Sequence, residues 1–424
     1  MGSTHQRCIQ VRMNRRGDIS RRGFLHCLAA GGAAFAGLST FAEELKKQNR
    51  ACILLWMAGG PSQFETFDPK PGTATQGPTK AIPTSVPGIQ IAEHWPGTAR
   101  VMNELAIIRS MTSREGNHGR ATYLLHTSYP PSGGIVHPSF GSLVAQQLGE
   151  EAFDLPHFVS ISGQSIGPSF LGVRYAPFIV TDPNQPPDNL AAPVTKDRME
   201  RRLDLIKELE APQARTGAAP LVKDHQALYD QTANMVLSPR TKAFRLDLES
   251  NRVRDNYGRA AFGQGCLMAR RLVEAGVSFV EVQSSGWDTH GKELETLKKL
   301  IPPVDQGTAA LLADLKTRGL LERTLVIWMG EFGRQPHINL TAGRDHYPHA
   351  FNVALAGCGI RGGRVLGATD RDGVEVADRP VTVPDLFCTF CKALAINPRK
   401  ENESNVGRPL KIVETGAAVE ELFV

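Results

Sequence analysis

The stretch that most constrains the fold of this chain runs from residue 305 to residue 349. Apolar residues recur at helical spacing over residues 309–315, and Gly319 follows where a helix commonly ends. The next apolar run, Thr324–Met329, is short and rich in β-branched residues, which is typical of a buried strand in a parallel sheet. An acid, Glu331, follows almost at once. Because an open α/β sheet carries its reactive groups just past the carboxyl ends of its strands, we expect a functional site here.

Other predicted strands also end in polar or glycine-rich loops. The strands in question are Ala51–Met57, Leu105–Ile108 and Val277–Val282, and a further strand, Phe351–Ala356, follows the loop after Glu331. Helical patterns separate these strands, so the sequence predicts an α/β fold with a mostly parallel central sheet and helices on both faces. Since the carboxyl ends of parallel strands share one edge, the loops near residues 58, 117, 288 and 331 should converge on one cleft.

Acids and imidazoles are concentrated in two of these loops. Asp288 and His290 lie two residues apart after one strand, and His346 and His349 lie shortly before another. A carboxylate oxygen with imidazole nitrogens is a ligand set that suits zinc, manganese or iron. We therefore predict that Asp288, His290 and one or both of these later histidines bind a divalent metal. The alternative is that His290 and His346 only form hydrogen bonds with loop backbone.

Two further acids extend this prediction. Glu331 and Asp345 flank the same loop, and Glu331 is the candidate ligand for a second ion. The sequence thus predicts one or two divalent ions, with zinc, manganese and calcium as the metals considered.

Candidate catalytic and substrate-binding residues lie in the same predicted cleft. Asn117 and His118 precede a helical pattern, and free backbone N–H groups at a helix start favour an anion. His118 is therefore a candidate for a catalytic or ligand role, or for a hydrogen-bonding role at the helix start. Arg334 and Arg344 are candidates for bidentate contacts with substrate oxygens, and a surface ion pair is the alternative for both. The remaining substrate-binding candidates follow the first strand, and they are Ser62 and Gln63.

The first 42 residues have the features of an export signal. Ser20–Leu25 fits the twin-arginine pattern, a short apolar run over Cys27–Leu38 follows, and Ala42 ends a small-residue cleavage site. The apolar run is too short and too rich in glycine for a stable membrane span. We expect export by the twin-arginine translocase to the periplasm or the medium, and the alternative is an uncleaved anchor.

Charge and composition limit the classes of partner and the number of domains. Residues 1–42 contain six arginines and one acid, so they account for the whole formal net charge of +5. The neutral remainder lacks the electrostatic footprint of a nucleic-acid-binding protein. With 41% hydrophobic residues, the chain can bury a large core. We predict one domain over residues 50–424, with a cap or insertion at residues 181–240, where Pro, Asp and Ala are frequent. The oligomeric state is left open.

Two cysteines form a CxxC motif near the end of the chain. Cys388 and Cys391 lie one turn apart in an apolar helical pattern, and no second CxxC accompanies them. The pattern favours two buried core cysteines over a redox or zinc motif.

Several segments resemble the exported DUF-1501 family of the alkaline phosphatase and sulfatase superfamily. They are LLWMAGGPSQFETFDPKPG (54–72), GNHGRATYLLHTSYP (116–130), WDTHG (287–291), GEFGR (330–334) and GRDHYPHAF (343–351). The resemblance covers nearly the whole chain and implies an alkaline-phosphatase-like core. It also implies a last metal-ligating histidine just before a strand, at His346 or His349.

The chain departs from the superfamily pattern at three places. Ala58–Gly60 stands where the first strand should end in a metal-binding aspartate, and Gly330–Gly333 replaces an Asp-His-Gly ending. His118 stands nearest the place of the Ser, Thr or modified Cys nucleophile. The resemblance implies an exported metal-dependent hydrolase-like protein acting on phosphate or sulfate esters of small molecules or polysaccharides. The alternatives are a non-catalytic metal- or ligand-binding member of the fold and a component of an envelope-associated assembly.

Overall fold

A nine-stranded sheet organises the part of the chain that the computed structural model describes, which is residues 50–190 and 194–423. Its strands in chain order are Ala51–Ala58 (β1), Ala106–Thr112 (β2), Phe158–Ile161 (β3), Phe178–Val180 (β4), Phe279–Ser285 (β5), Thr324–Met329 (β6), Phe351–Ala356 (β7), Arg364–Leu366 (β8) and Val381–Thr382 (β9). The strand order is β8-β2-β7-β6-β1-β5-β3-β4, and β9 also pairs with β2. The predicted export signal lies outside the described residues.

All but one of these strands run in the same direction. β1 is parallel to β5 and β6, β3 is parallel to β4 and β5, and β8 and β9 are parallel to β2. β7 is antiparallel to both of its neighbours, β2 and β6. The sheet is therefore mostly parallel, as the sequence predicted.

Nine α-helices lie in the described ranges. They are Pro96–Arg100 (α1), His118–Thr127 (α2), Phe140–Leu148 (α3), Lys196–Glu210 (α4), Ala219–Leu237 (α5), Asn251–Tyr257 (α6), Ala261–Glu274 (α7), Glu293–Thr317 (α8) and Val383–Ala393 (α9). Four short antiparallel pairs complete the strands: Ala81–Pro83 with Gln90–Ala92, Gly333–Arg334 with His346–Tyr347, Ala368–Thr369 with Val376–Asp378, and Glu401–Glu403 with Pro409–Lys411.

The sheet has a hydrophobic core on each face, because successive side chains of a strand point to opposite sides. Ile53 and Leu55 of β1 belong to one core, which α7 and α8 cover. Leu54 and Trp56 belong to the other core, which α2, α3 and α9 cover. This arrangement confirms the predicted α/β class with helices on both faces.

Two local predictions can be compared with the structure directly. Gly319 follows the end of α8 and has φ +67°, a conformation that glycine adopts without steric cost. Cys388 and Cys391 are buried in α9, as expected of core cysteines. That they bind no metal stays a prediction.

The predicted cap contains two helices. No residue of α4 is buried, whereas α5 buries Val222, Ala233 and Met235. Both helices lie within residues 181–240, and their role as a cap stays a prediction. In the described ranges, no helix is both long enough and apolar enough to span a membrane.

Candidate metal centre

The loops that carry the predicted ligands meet at one edge of the sheet. Ala58 at the end of β1 pairs with Ser285 at the end of β5, and Trp56 pairs with Met329 at the end of β6. These three strands therefore end side by side. Because β7 runs in the opposite direction, its first residue, Phe351, lies at this same edge beside Met111 of β2. The chain segment before β7 is brought to the site in this way.

A helix start brings His118 to the same place. β2 ends at Thr112, and α2 begins at His118 after a short loop. Asn117 caps this helix, since its side chain accepts a hydrogen bond from the Arg120 backbone N–H at 3.2 Å. This cap fixes the direction in which the first residue of the helix projects.

Three imidazoles surround one carboxylate oxygen. Oδ1 of Asp288 lies 3.2 Å from Nε2 of His118, 3.1 Å from Nε2 of His290 and 3.2 Å from Nε2 of His346. The Nε2 atoms of His290 and His346 are 2.9 Å apart. These four side chains are called the 118/288/290/346 cluster below. Three of them, His118, Asp288 and His346, each offer a donor atom within 4.8 Å of the other two.

The other nitrogen of each ring is held by an oxygen. Nδ1 of His118 lies 2.7 Å from Oε1 of Glu331, and Nδ1 of His346 lies 2.8 Å from the Gly116 carbonyl oxygen. Nδ1 of His290 contacts Oδ1 of Asp345, also at 2.7 Å. A carbonyl or an ionised carboxylate only accepts, so each ring donates from Nδ1 and presents the Nε2 lone pair to the cluster. Such partners orient metal-ligating histidines in proteins.

The cluster is left with unsatisfied acceptors, and this tests whether a cation fits. Nε2 of His118 is buried and has no hydrogen-bond partner. With both Nδ1 atoms protonated, Nε2 of His290 and Nε2 of His346 face each other lone pair to lone pair at 2.9 Å. A shared cation removes this repulsion, and nitrogen and oxygen donors at such separations suit a divalent metal. The residues therefore fit a metal ion.

Charge and burial shift the proton affinities within the cluster in different directions. The hydrogen bond to Glu331 raises the pKa of His118, whereas burial lowers the pKa of His346. Burial tends to raise the pKa of Asp288, but the hydrogen bond and charge of Arg334, together with the hydrogen bond to His346 and the charge of His118, lower it to about 2. Asp288 is therefore ionised at neutral pH, as a metal ligand must be.

Arg334 faces inward and supports Asp288. Its guanidinium is fully buried and donates to Oδ1 of Asp288 at 2.6 Å, to the Gly60 carbonyl at 2.8 Å and to the Arg344 carbonyl at 3.1 Å. It also donates to the carbonyl of Gly59. The sequence predicted a substrate contact for this arginine, and the structure places it under the ligand-bearing loops instead.

The other predicted substrate-binding residues are also buried and bonded within the protein. Nη2 of Arg344 lies 3.0 Å from Oε1 of Glu65, and the hydroxyl of Ser62 donates to the same carboxylate. The side-chain amide of Gln63 accepts from the backbone N–H of Arg334 and donates to its carbonyl, each at 2.8 Å. The structure does not bring these three side chains to the cluster.

Three predicted metal ligands lie outside the 118/288/290/346 cluster. Glu331 is buried and accepts from the Gly59 backbone N–H at 2.9 Å as well as from His118, and Asp345 accepts from His290. Both acids therefore hold a histidine. His349 is exposed, and its ring contacts Tyr347.

Sequence reasoning missed the Gly116 carbonyl that holds His346, because a backbone acceptor has no signature in the residue types. It did single out His118, but the grouping of this residue with Asp288 and His346 required the fold.

Comparisons with solved structures give distant matches. A sulfatase from Pseudoalteromonas sp. (PsFucS1) is 13% identical with a TM-score of 0.40, covering 89% of this chain and 72% of its own. The lipoteichoic acid synthase LtaP from Listeria monocytogenes is 10% identical with a TM-score of 0.39, covering 83% of this chain and 73% of its own. A protein in the alkaline phosphatase superfamily from Vibrio parahaemolyticus is 10% identical with a TM-score of 0.37, covering 82% of this chain and 67% of its own.

Family membership rests on the sequence itself. No curated protein matches this chain significantly. One family model, described as "Protein of unknown function (DUF1501)", matches residues 49–423, which is nearly the whole chain and includes every residue of the 118/288/290/346 cluster. The chain therefore belongs to the DUF1501 family.

Proposed function

We propose that this protein is an exported, metal-dependent hydrolase that acts on phosphate or sulfate esters of a small molecule or a polysaccharide. The observation that carries the proposal is the meeting of three Nε2 atoms around Oδ1 of Asp288, with each Nδ1 already bonded to an oxygen. The side chains of Asp288 and His290 are 46% and 45% exposed, so the cluster is open to a ligand from solvent. An open side is the feature that separates catalytic from structural ion sites.

The chain's own residues have separate tasks in this proposal. His118, Asp288 and His346 hold the ion, and His290, which contacts Asp288 and His346, is the candidate for a fourth ligand. Arg334 keeps the Asp288 carboxylate ionised and in place. When bound, a divalent ion lowers the pKa of coordinated water and attracts an ester oxyanion.

The donor set also bears on the identity and number of ions. Three imidazole nitrogens suit zinc or manganese, whereas calcium takes oxygen ligands. Within the described ranges, the 118/288/290/346 cluster contains the one group of such side chains close enough to hold an ion. We therefore propose one ion, zinc or manganese, rather than calcium.

Location is the remaining part of the proposal. The twin-arginine pattern at Ser20–Leu25 and the apolar run after it support passage through the twin-arginine translocase into the periplasm or the medium.

A non-catalytic metal-binding protein is the second candidate, and one observation favours it. Among the described residues, no hydroxyl or thiol side chain hydrogen-bonds to a side chain of the cluster, which favours a site without a covalent nucleophile. If the site hydrolyses esters, we expect water to be the attacking group. Turnover decides between the two candidates.

The deciding experiment combines metal analysis with turnover. Protein purified from its export compartment should contain about one transition-metal ion per chain and should hydrolyse p-nitrophenyl phosphate or p-nitrophenyl sulfate. His346→Ala should lose both the ion and the turnover. His349→Ala is the matched control, because the same change is made three residues away on an exposed side chain outside the cluster.

Two outcomes would change the conclusion. If wild-type protein contains its full complement of metal but hydrolyses neither ester, we would conclude that it is a non-catalytic metal-binding protein. If the His346→Ala variant keeps its metal at the wild-type level, the proposed metal site is wrong.

A further inference from the structure

The two helices of the predicted cap carry a large share of the exposed apolar side chains. Eleven large apolar residues are exposed in the described ranges, and five of them lie on α4 and α5, which are 15 and 19 residues long. They are Leu205, Leu209, Leu221, Leu228 and Tyr229, and they are between 41% and 74% exposed. Single exposed apolar residues are ordinary, but a concentration of them on one element indicates a contact surface.

One side of α4 already has a partner within the chain. Leu203 is half-buried on that side, and Nζ of Lys207 lies 3.2 Å from Oδ1 of Asp230 in α5. Since each residue turns the helix by about 100°, Leu205 lies on the side opposite Leu203. Leu205 and Leu209 are 54% and 67% exposed, and no residue of α4 is buried. The outer face of α4 is therefore apolar in part and open to a partner.

The charges of α4 are divided between its two halves. Residues 196–202 contain four bases and two acids, whereas residues 203–210 contain three acids and one base. This order runs against the helix dipole, which favours acids near the first turn and bases near the last. A second α4 lying antiparallel would bring each basic half against an acidic half and offset this disadvantage. The charge pattern of α4 is therefore complementary to its own copy.

We propose that the outer face of α4 binds the same face of a second copy of this chain, in an antiparallel pair with two-fold symmetry about Leu205. A two-fold interface uses one self-complementary patch on both copies. Leu205 contacts its own copy at the axis. Arg201, four residues earlier, lies opposite Glu208 of the second copy, which is three residues later. Leu209 lies against the aliphatic stem of Arg202 of the second copy.

The charged residues of this pairing are available for it. Arg201, Arg202 and Glu208 are exposed, and the ion pairs that α4 forms in the described ranges use other residues. Those pairs are Lys196 with Glu200, Lys207 with Asp230 and Glu210 with His225. A single helix face is smaller than the roughly 800 Å² per partner of a standard interface, so we expect a reversible dimer with a dissociation constant of about 10–100 μM.

The test is sedimentation equilibrium of the full chain at concentrations on both sides of that value. Leu205→Ser should weaken dimerisation about tenfold or more, since it removes the apolar contact at the axis from both copies. Leu248→Ser is the matched control, because Leu248 is 51% exposed and lies outside the two helices. His346→Ala should dimerise as wild type does, because the proposal does not depend on the 118/288/290/346 cluster or on hydrolysis there.

Charge reversal tests the two-fold pairing itself. Arg201→Glu and Glu208→Arg should each weaken the dimer about five- to tenfold, since each change places like charges in both contacts. An equimolar mixture of these two variants should dimerise as wild type does, because every contact again joins an acid and a base.

Three results would overturn the proposal: a wild type that is monomeric at every concentration, wild-type affinity in Leu205→Ser, or no recovery in the mixture of the two charge variants. Monomeric protein that binds vesicles of anionic phospholipid through Leu205 would assign this face to a membrane, and would overturn the proposal as well.

Discussion

Replacement of Glu331 by Gln is the most informative single change at the 118/288/290/346 cluster. The carboxylate is 2% exposed and accepts from Nδ1 of His118 at 2.7 Å and from the Gly59 N–H at 2.9 Å. Glutamine keeps the shape, but it removes the charge and turns one acceptor into a donor. Both N–H groups bond to the same oxygen, Oε1, so the amide oxygen of glutamine can still accept from both. The hydrogen bond that orients His118 loses its charge assistance, and the amide NH₂ replaces the oxygen that makes the second contact with the Gly59 N–H.

The expected effect follows from the role of such partners in metal sites. Loss of one typically weakens metal binding roughly 10- to 100-fold, which is about 1.4–2.8 kcal/mol. We expect the upper half of this range for Glu331, because a buried charge-assisted hydrogen bond is screened little by water. Asp345→Asn changes the partner of His290 in the same way, but that side chain is 48% exposed, so its effect should fall in the lower half.

Competition with a chromophoric zinc chelator measures both affinity and stoichiometry. If Glu331 were a ligand of a second ion, the variant would lose one of two bound ions while the other kept its affinity. If Glu331 orients His118, the number of ions stays the same and the affinity falls. A folded Glu331→Gln protein with wild-type affinity and stoichiometry would refute the reasoning, and Glu295→Gln serves as the exposed control.

Three further predictions concern other parts of the chain. Changing Arg21 and Arg22 to Lys should retain the precursor in the cytoplasm on fractionation, and normal export would contradict the signal assignment. Changing Cys388 and Cys391 to Ala should lower the free energy of unfolding by about 1–3 kcal/mol in denaturant titrations, with metal content unchanged. Since the pKa of Glu293 is raised from 4.5 to about 8, the contribution of this acid to stability is fully present below pH 4.5 and is lost as pH rises through about 8. Glu293→Gln should remove this pH dependence, about 5 kcal/mol over the whole window, in melts at several pH values.

Much of the fold was predictable from local patterns. Thr324–Met329 was predicted as a buried strand and forms β6 with the same bounds, because a short β-branched run has few other stable conformations. Gly319 marked the end of α8 for an equally local reason, its left-handed conformation. The sequence also predicted that Asp288 and Glu331 lie at the same edge of the sheet, since the carboxyl ends of parallel strands share one edge.

The roles of the loop residues were less accessible to sequence reasoning. Arg334 and Arg344 look alike in the sequence, as cations next to acids and histidines, and both were assigned to substrate contacts. Whether each guanidinium points into the protein or toward a substrate depends on which carbonyls and carboxylates the folded loops place around it. Arg334 donates to Gly60, which lies 274 residues earlier, and no periodicity encodes such a pairing.

The sequence by itself determined five of the nine strands of the sheet, the helical patterns between them and the loops that meet at one edge. These features follow from hydrophobic periodicity and backbone preference, which act over a few residues. Only the tertiary structure decided that His118 joins Asp288, that Glu331 holds a histidine and that His349 stays outside. His118 and Glu331 are 213 residues apart, and a hydrogen bond over that separation exists only because the antiparallel β7 and its neighbours bring β2 and β6 into one sheet.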